Sequence, residues 1–196
     1  MSMKIDAKMA ETLRQRFKTF NKFMVLLWRL GMGWWFGLWP EGWGQIMVIT
    51  HFGRISGKKY QTPVNFAIVN GEIYCTAGFG KVADWYRNII ANPMVEIWLP
   101  QGWWTGKARD VSEEEDSLEI MRAVIKASGF AGPMFGVNAD QLDDKSLSKL
   151  TKNYRLIQIQ REEACTGPGG PADLHWIWQI STFFLLSVLL RRRRRK

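Results

Sequence analysis

Apolar residues recur at every third or fourth position through the first thirty residues. They are Ile5, Met9, Leu13, Phe17, Phe20, Met24, Leu27 and Leu30. This period matches one face of an α-helix and predicts an amphipathic helix over residues 1–30. The overlapping stretch 23–39 is also apolar, but Arg29 and three glycines interrupt it. We therefore expect it to lie on a membrane or on the protein rather than to span a bilayer.

Short runs rich in β-branched and aromatic residues follow and predict strands. They cover residues 45–52, 62–69, 72–79, 94–100, 102–111 and 154–161. Asn70-Gly71 joins two of them and is a strong hairpin signal. Helical patterns at 84–92 and 112–128 occur without regular strand–helix alternation. The chain is thus expected to have an α+β fold, a mostly antiparallel split β-barrel of about six strands with peripheral helices, in one domain over residues 31–162.

The end of the chain combines a linker, an apolar segment and a charged tail. Residues 163–173 are rich in Gly and Pro and predict a linker, and residues 191–196 read RRRRRK. Between them, Leu174 to Leu190 carry no formal charge, and as a helix they would be roughly 25 Å long. We expect a hydrophobic C-terminal helix that spans or anchors to a membrane, with a basic tail. A buried amphipathic helix with a solvated tail is the alternative.

Charge is concentrated at the two ends of the chain. Of the net charge of +9, residues 191–196 hold +6 and residues 1–30 hold +5, so residues 31–190 hold −2. Basic ends beside Trp-rich apolar sequence are typical of contact with anionic lipid and not of binding in a nucleic-acid groove. We expect membrane lipid as a partner of residues 174–196 and no nucleic acid. Basic ends in the cytoplasm with one full span would place the domain outside, whereas a tail that lies in the interface lets it stay inside. We expect a single C-terminal anchor with the domain on the cytoplasmic face.

Residues that hydrolytic and metal sites commonly use are scarce. The chain has two histidines, His51 and His175, and two cysteines, Cys75 and Cys165. They form no HExxH or CxxC spacing, and no GxSxG, Walker or GxGxxG motif follows a predicted strand. We expect no metal site. If the protein is an enzyme, a bound cofactor is expected to carry its chemistry.

A basic, glycine-containing loop lies between the first two predicted strands. Residues 53–64 read GRISGKKYQTPV. Arg54, Lys58 and Lys59 supply three cations within six residues, and Ser56 and backbone N–H groups add uncharged donors. Such a turn suits a phosphate or polycarboxylate group held by charge-assisted hydrogen bonds. A solvated basic hairpin loop is the alternative.

A second informative stretch reads AGFGKVADWYRNIIANP over residues 77–93. The small residues within 77–80 allow a flat ring to approach the backbone closely, and N–H groups just before a helix favour an anionic edge. Trp85 and Tyr86 would form an aromatic wall beside that ring. The alternative is a loop followed by a helix that docks its aromatic side chains in the core.

Together the two stretches follow a specific order: a strand, GRxSGK, TP, a hairpin, a Gly-rich turn and WYxNxxANP. This order resembles the deazaflavin-dependent nitroreductase family, over about residues 45–161. The family has a split β-barrel fold and is related to flavin-binding pyridoxamine oxidase-like proteins. The resemblance implies the deazaflavin coenzyme F-420, a hydride carrier with a phosphate and a polyglutamate tail. FMN is the less expected cofactor.

The resemblance also implies a set of cofactor-binding residues. Those for the phosphate and the acidic tail are Arg54, Ser56, Gly57, Lys58 and Lys59, with Thr62 and Pro63 lining the turn. Those for the deazaflavin ring are Ala77, Gly78, Phe79, Gly80, Trp85, Tyr86 and Asn88. Tyr60 replaces a frequent Arg and Gly78-Phe79 replaces a frequent Ser-Lys, so FMN, a lipid or no redox cofactor are the alternatives.

Hydride transfer from the reduced coenzyme needs no protein nucleophile, but the acceptor needs a positioned hydrogen-bond donor. Tyr86 and Ser128 are the candidate catalytic residues for that role. Loop 129–138 is a candidate apolar lid or a loop packed under the barrel rim. The expected acceptor is a quinone or a nitro-type compound. The alternative function is a non-catalytic accessory subunit of a membrane complex, or a lipid- or tetrapyrrole-binding barrel. A homodimer or a membrane complex would then provide further partners.

Overall fold

A computed structural model describes residues 19–37, 44–129 and 143–193. The strands are β1 (Ile46–Phe52), β2 (Lys59–Val69), β3 (Glu72–Ala77), β4 (Met94–Leu99), β5 (Gly102–Asp110) and β6 (Arg155–Ala164). The helices are α1 (19–29), α2 (Asp84–Ala91), α3 (Ser117–Ala127), α4 (Asp144–Thr151) and α5 (Trp176–Arg193). Two 3-10 turns span Gly33–Gly37 and Gly80–Val82. The predicted features over 1–18, 130–138 and 194–196 lie outside the described residues.

The six strands close into one antiparallel barrel in the order β1-β2-β3-β6-β5-β4, and β4 pairs back onto β1. Hairpins join β1 to β2, β2 to β3 and β4 to β5, whereas β6 enters between β3 and β5. The α+β barrel predicted from the sequence is confirmed. Its β2–β3 turn contains Asn70 and Gly71, both at positive φ, as a tight hairpin requires.

β1 is buried on both faces because the barrel interior lies on one side and α1 on the other. Met47 and Ile49 belong to the interior cluster. Val48 packs outward with Trp28 of α1 and Trp98 of β4, whose rings lie 6.4 Å apart. A strand covered on both faces carries a continuous apolar run instead of alternation. Each fully buried side chain of this size contributes roughly 1.5–3 kcal/mol to folding.

Two helices cover a second outer face of the barrel. Val124 of α3 and Leu147 of α4 pack with Leu156 of β6 in one buried cluster. α3 begins at Ser117, later than the sequence pattern predicted. The reason is that Ser112 turns back to Asp110, whose Oδ1 accepts the Ser112 N–H at 2.9 Å.

The elements that carry the two sequence motifs meet at one end of the barrel. α2 packs over this end because Tyr86 and Ile89 belong to the interior cluster. The β1–β2 loop, residues 53–58, projects beside α2. This end is where the candidate site lies.

α5 differs from the other helices because it is largely uncovered. From Gln179 to Arg192 every residue is exposed except Ser187, whose hydroxyl donates to Phe183 of the same helix. The alternative of a buried C-terminal helix therefore does not describe α5. Among the residues that the structure describes, no helix is both long and apolar enough to cross a membrane.

Candidate cofactor site

The loop between β1 and β2 is a tight turn closed by its own backbone. The Gly53 N–H donates to the Lys58 carbonyl at 2.9 Å, and the Gly57 N–H donates to the Gly53 carbonyl at 2.8 Å. Gly57 has a φ of +64°, which side-chain-bearing residues rarely adopt. A Cβ on Gly53 would lie 2.6 Å from Ser56 Oγ. Residues 54–60 are exposed, so the loop presents its polar groups to solvent.

Arg54 connects this loop to α2. Its backbone N–H and its Nη1 donate to Asn88 Oδ1 at 3.2 and 3.0 Å. Its Nη1 and Nη2 also lie 3.4 and 3.3 Å from Asp84 Oδ1. Asn88 is 5% exposed, whereas the Asp84 side chain is 83% exposed. The two sequence motifs therefore meet through one buried amide, which binds the first cation of the loop.

Asn88 continues this contact into the barrel through His51. The Asn88 Nδ2 lies 3.1 Å from His51 Nδ1, and His51 Nε2 lies 3.1 Å from Thr62 Oγ1. Because Asn88 Oδ1 accepts from Arg54, its Nδ2 is a donor and His51 Nδ1 must accept. The ring proton then sits on Nε2 and is donated to Thr62. A donor-only guanidinium thus sets, in turn, the Asn88 amide orientation and the His51 tautomer.

His51 is a buried, uncharged residue of this site. It is 3% exposed and stacks on Tyr60, with ring centroids 5.9 Å apart. Burial lowers the pKa of His51 to about 4, and the negative charge of Asp84 opposes this only in part. Protonation would also place two donors face to face at Asn88. No motif in the sequence marked His51 as part of the site. The signal was available, because a hairpin closed at 53–58 places residue 51 opposite residue 60.

The two lysines of the loop have different surroundings. Lys59 Nζ donates to Glu96 of β4 at 2.7 Å and lies 5.7 Å from the Phe52 ring. The Lys58 backbone N–H donates to Ser56 Oγ at 3.3 Å, while its side chain is exposed. In the part of the chain that the structure describes, Lys58 forms no ion pair, whereas Arg54 and Lys59 each lie against a carboxylate.

Tyr60 of β2 is the residue at which the resemblance implied a frequent Arg. Its hydroxyl lies 3.2 Å from Ser56 Oγ, and its ring covers His51. Tyr60 therefore connects the loop to His51 from the exposed side. The departure removes a positive charge without leaving the loop unsupported.

The Gly-rich turn after β3 is fixed by the close approach of another backbone segment. Ala77 ends β3 and is buried, whereas Gly78 and Phe79 are exposed. Gly80 has a φ of +59°, and a Cβ on it would lie 2.0 Å from the Asn153 carbonyl oxygen. Only glycine fits here without displacing that segment. The turn leads directly into α2, so it lies at the same end of the barrel as Arg54.

Tyr86 points away from the solvent. It is 7% exposed, and its hydroxyl donates to Asp110 Oδ2 at 2.6 Å. The same carboxylate lies 3.2 Å from Arg155 Nε. Burial raises the pKa of Tyr86, and the hydrogen bond to Asp110 adds to the rise. In this arrangement the phenol proton is committed to Asp110.

Ser128 does not share the surroundings of the loop. It follows α3, and its hydroxyl donates to the Val124 carbonyl at 2.9 Å. The preceding residue, Ala127, accepts the N–H of Gln45 just before β1. β1 is about 20 Å long at a rise of about 3.3 Å per residue, and Arg54 follows its other end. The structure does not bring Ser128 together with Arg54.

The remaining predicted residues lie around the junction of β2 and α2. Thr62 receives the His51 hydrogen bond, and Pro63 pairs with Val48 within the sheet. Trp85 is half-buried against the interior cluster. The aromatic pair 85–86 therefore supports α2 on the barrel end more than it lines open surface. Whether these residues contact a cofactor stays a prediction.

The residues present fit an acidic, phosphorylated cofactor. The exposed loop carries Arg54 and Lys58, and Arg54 is positioned by the buried Asn88. Within the ranges that the structure describes, no group of His, Cys, Asp or Glu side chains could hold a metal ion. The arrangement can bind an anion and place an attached ring beside the 77–80 turn.

Residues 37–132 match the family described as F-420H(2)-dependent quinone reductase. Similar solved structures include a protein of unknown function from Agrobacterium tumefaciens. It is 19% identical, the match covers 67% of this chain and 55% of that chain, and the TM-score is 0.45. A conserved hypothetical protein from Mycobacterium tuberculosis is 14% identical, with 64% of this chain and 86% of that chain covered and a TM-score of 0.46. An F-420-H2-dependent reductase, FDR-A, has 24% identity, 60% and 94% coverage and a TM-score of 0.44. No curated protein matches the chain.

The family match confirms the relationship predicted from the two motifs, and it confirms coenzyme F-420 as the expected cofactor. It also supports an F-420-dependent reductase activity at the level of the family. The match begins before β1 and includes both motifs and α3. Residues 37–132, which carry both motifs, therefore match the F-420H(2)-dependent quinone reductase family.

Proposed function

We propose that the protein transfers hydride from reduced coenzyme F-420 to a quinone or nitro-type acceptor. The observation that carries the proposal is the contact of Arg54 with Asn88, because it unites the basic loop with the helix that follows the Gly-rich turn. One site can then hold the acidic tail of a cofactor and its ring together.

The basic loop would hold the phosphate and the acidic tail. Arg54 and Lys58 supply charge, and Ser56 with the loop backbone supplies uncharged donors. Asn88 keeps the Arg54 guanidinium oriented while Asp84, which is exposed and more than 3 Å away, is replaced by the anion. Exposed ion pairs of this kind are weak, so the exchange has a small cost.

The Gly-rich turn would receive the ring. Its backbone can approach a planar group at the exposed Gly78, whereas Gly80 packs against the Asn153 backbone. When bound, the deazaflavin supplies the hydride. The protein's own part is to orient it, to exclude water and to hold the acceptor close. Tyr86 and Ser128 stay candidate donors to the acceptor, and the contacts described above give each of them another partner.

A quinone is the preferred acceptor because it is the substrate class in the family description. Lipid-soluble quinones are reached from a membrane surface, so the proposal includes lipid contact through residues 174–196 with the barrel on the cytoplasmic face. A homodimer or a larger membrane complex is compatible with this function and forms part of the same proposal.

Binding of the coenzyme tests the proposal most directly. Coenzyme F-420 would be titrated into the full chain in detergent, and quenching of the protein's fluorescence would report binding. FMN is the competing cofactor. We expect saturable binding that is lost in the double variant Arg54→Ala with Lys58→Ala. Lys145→Ala on α4 is the matched control, because it removes an exposed cation elsewhere. Retained binding in the double variant would refute the assigned loop.

Turnover with a short-chain naphthoquinone and with a nitroaromatic compound would then separate the two acceptor classes. Oxidation of the reduced coenzyme by the quinone alone would support quinone reduction. Absence of coenzyme binding in the correctly folded wild-type chain would instead favour the non-catalytic barrel.

A further inference from the structure

Most large apolar side chains exposed in the described residues belong to two elements. On α5, nearly every residue from Trp176 to Leu190 is exposed, and Phe183 and Phe184 reach 74% and 70%. The second element is α1 with the 3-10 turn that follows it, where the exposed side chains are Phe20, Phe23, Leu26, Trp34 and Trp35. Large exposed apolar surfaces mark interaction sites.

α5 and α1 are joined at one well-defined junction. Arg29 Nε and Nη2 donate to the Asp173 carboxylate at 2.9 and 2.8 Å. The Leu174 N–H donates to the Arg29 carbonyl, and the Trp178 indole donates to the Leu30 carbonyl, both at 2.8 Å. α5 therefore leaves the body of the protein at the end of α1, and its first turn is held by that end.

The outward face of α1 stays available beside this junction. Met24 and Trp28 are buried against the barrel, one helical turn apart. At about 100° per residue, Phe23 lies about 100° around the helix from Met24 and Leu26 about 200°. Both therefore face away from the barrel. Trp34 and Trp35 follow immediately after the junction. Two apolar surfaces thus start from the same place.

Charge around these surfaces is of one sign. Residues 19–37 and 174–193 contain no Asp or Glu, while Lys22, Arg191 and Arg192 are exposed. The sequence continues this charge to residue 196. A second copy of the chain would present the same cations and be repelled, whereas an anionic headgroup layer complements them.

We propose that α1, the 3-10 turn Gly33–Gly37 and α5 form one composite surface that docks on an anionic lipid bilayer. The surface lies in the headgroup region, with its Trp and Phe side chains at the acyl boundary and its cations on phosphates. It deepens the proposed function by assigning the lipid contact to two elements instead of the C-terminal helix alone. It does not depend on the coenzyme.

Flotation of the full chain with vesicles tests this surface. Wild type is expected to float with phosphatidylcholine vesicles that contain phosphatidylglycerol, and less with pure phosphatidylcholine. The double variant Phe23→Ser with Trp34→Ser is expected to weaken partitioning roughly tenfold or more, because it removes two large half-exposed apolar groups. Ile68→Ser, equally exposed on β2, is the matched control and is expected to float like wild type.

The junction has its own test. Arg29→Asp is expected to weaken vesicle binding several-fold, and the exchange Arg29→Asp with Asp173→Arg is expected to restore it. Restoration distinguishes the junction from a simple loss of positive charge, since the exchange leaves net charge unchanged. Circular dichroism and coenzyme titration of each variant report whether the barrel and its site are intact.

Three results would overturn the proposal. If Phe183→Ser with Phe184→Ser abolishes flotation while Phe23→Ser with Trp34→Ser leaves it unchanged, α5 alone contacts lipid. If the chain does not float and instead forms an oligomer that the Phe183 and Phe184 changes dissociate, a second copy covers α5. If neither occurs, the surface has another partner. If the wild-type chain floats with the vesicles but does not bind the coenzyme, the proposed function is refuted and the proposed lipid-binding surface is retained.

Discussion

The side-chain amide of Asn88 lies 3.1 Å from the His51 ring nitrogen Nδ1, at the point where α2 meets β1. Through its other amide atom, Asn88 holds Arg54. A buried neutral pair therefore stands directly behind the exposed cation of the basic loop. This relationship links the stability of the barrel end to the position of the charge that is expected to bind the cofactor.

Asn88→Ala is expected to lower both stability and cofactor affinity. The change leaves His51 and the Arg54 N–H without their partner, and unsatisfied buried groups of this kind cost about 1–3 kcal/mol each. Urea unfolding and coenzyme titration measure the two effects. Asn92→Ala, directly after the same helix, is the control because Asn92 is exposed and its Oδ1 accepts only the exposed Met94 N–H at 3.2 Å. If the Asn88→Ala protein is destabilised but binds the coenzyme with unchanged affinity, the Arg54–Asn88–His51 hydrogen bonds support the fold and not cofactor binding.

The stability of the fold is expected to fall as the pH drops from about 6.5 to about 4. The pKa of His51 is lowered to about 4 in the folded state. The unfolded chain therefore takes up a proton in this window that the folded chain refuses. The slope from this residue is at most about 1.4 kcal/mol per pH unit.

Urea unfolding at several pH values across that window checks the slope. His51→Gln keeps a polar side chain of similar length without a titrating group, so its stability is expected to change less over the same range. A slope that is identical in wild type and His51→Gln would show that other groups cause the acid sensitivity.

Asp84→Asn is expected to strengthen binding of an acidic cofactor by a few-fold. It removes the carboxylate that competes for the Arg54 guanidinium, while Asn88 keeps that side chain in place. The effect on folding is expected to stay below about 1 kcal/mol because the pair is exposed. Titrations at low and high salt measure it, and the gain should shrink at high salt. Weaker binding would mean that Asp84 orients Arg54 productively.

Gly80→Ala and Gly57→Ala form a matched pair. Both residues have positive φ, but an added Cβ at residue 80 meets the Asn153 carbonyl oxygen at 2.0 Å, whereas at residue 57 it meets open space. We expect a cost of about 1 kcal/mol for Gly57→Ala and a clearly larger one for Gly80→Ala. Thermal or urea unfolding measures both. Equal losses of stability in the two variants would mean that the backbone at Asn153 moves aside at little energetic cost.

Tyr86→Phe is expected to reduce stability by about 1–2 kcal/mol, because Asp110 loses a short hydrogen bond inside the barrel end. If the phenol acts only on Asp110, kcat with a quinone should stay close to that of wild type. A large fall in kcat with unchanged KM would instead support the predicted role of Tyr86 as donor to the acceptor. Urea unfolding together with steady-state rates separates these effects.

Several features were predictable because their signals are local. The Asn70-Gly71 turn and the runs around it specify a hairpin through backbone conformation alone, and the structure has it at β2–β3. Repeated hairpins without strand–helix alternation predicted the antiparallel barrel, which is confirmed. The two motifs predicted the family and its coenzyme, and both are confirmed.

Other features depended on contacts between distant residues. The sequence shows GRISGK and WYRN as separate segments, and their meeting through Asn88 depends on α2 packing over the barrel end. Tyr86 looked like an aromatic wall, but Asp110 of β5 draws its hydroxyl inward. Ser128 was predicted as a donor to the acceptor, and β1 separates it from Arg54 because the two lie beyond opposite ends of that strand.

By itself, the sequence determined the strands, the hairpin turns and the glycines of the basic loop, because these follow from the conformational preferences of neighbouring residues. It also determined an apolar C-terminal segment with a basic end. Only the tertiary structure decided that His51 is neutral and lies beside Arg54, and that Arg29 of α1 pairs with Asp173 just before α5. Burial and hydrogen bonding between residues far apart in the chain depend on how the barrel closes, and no local pattern of residues records that closure.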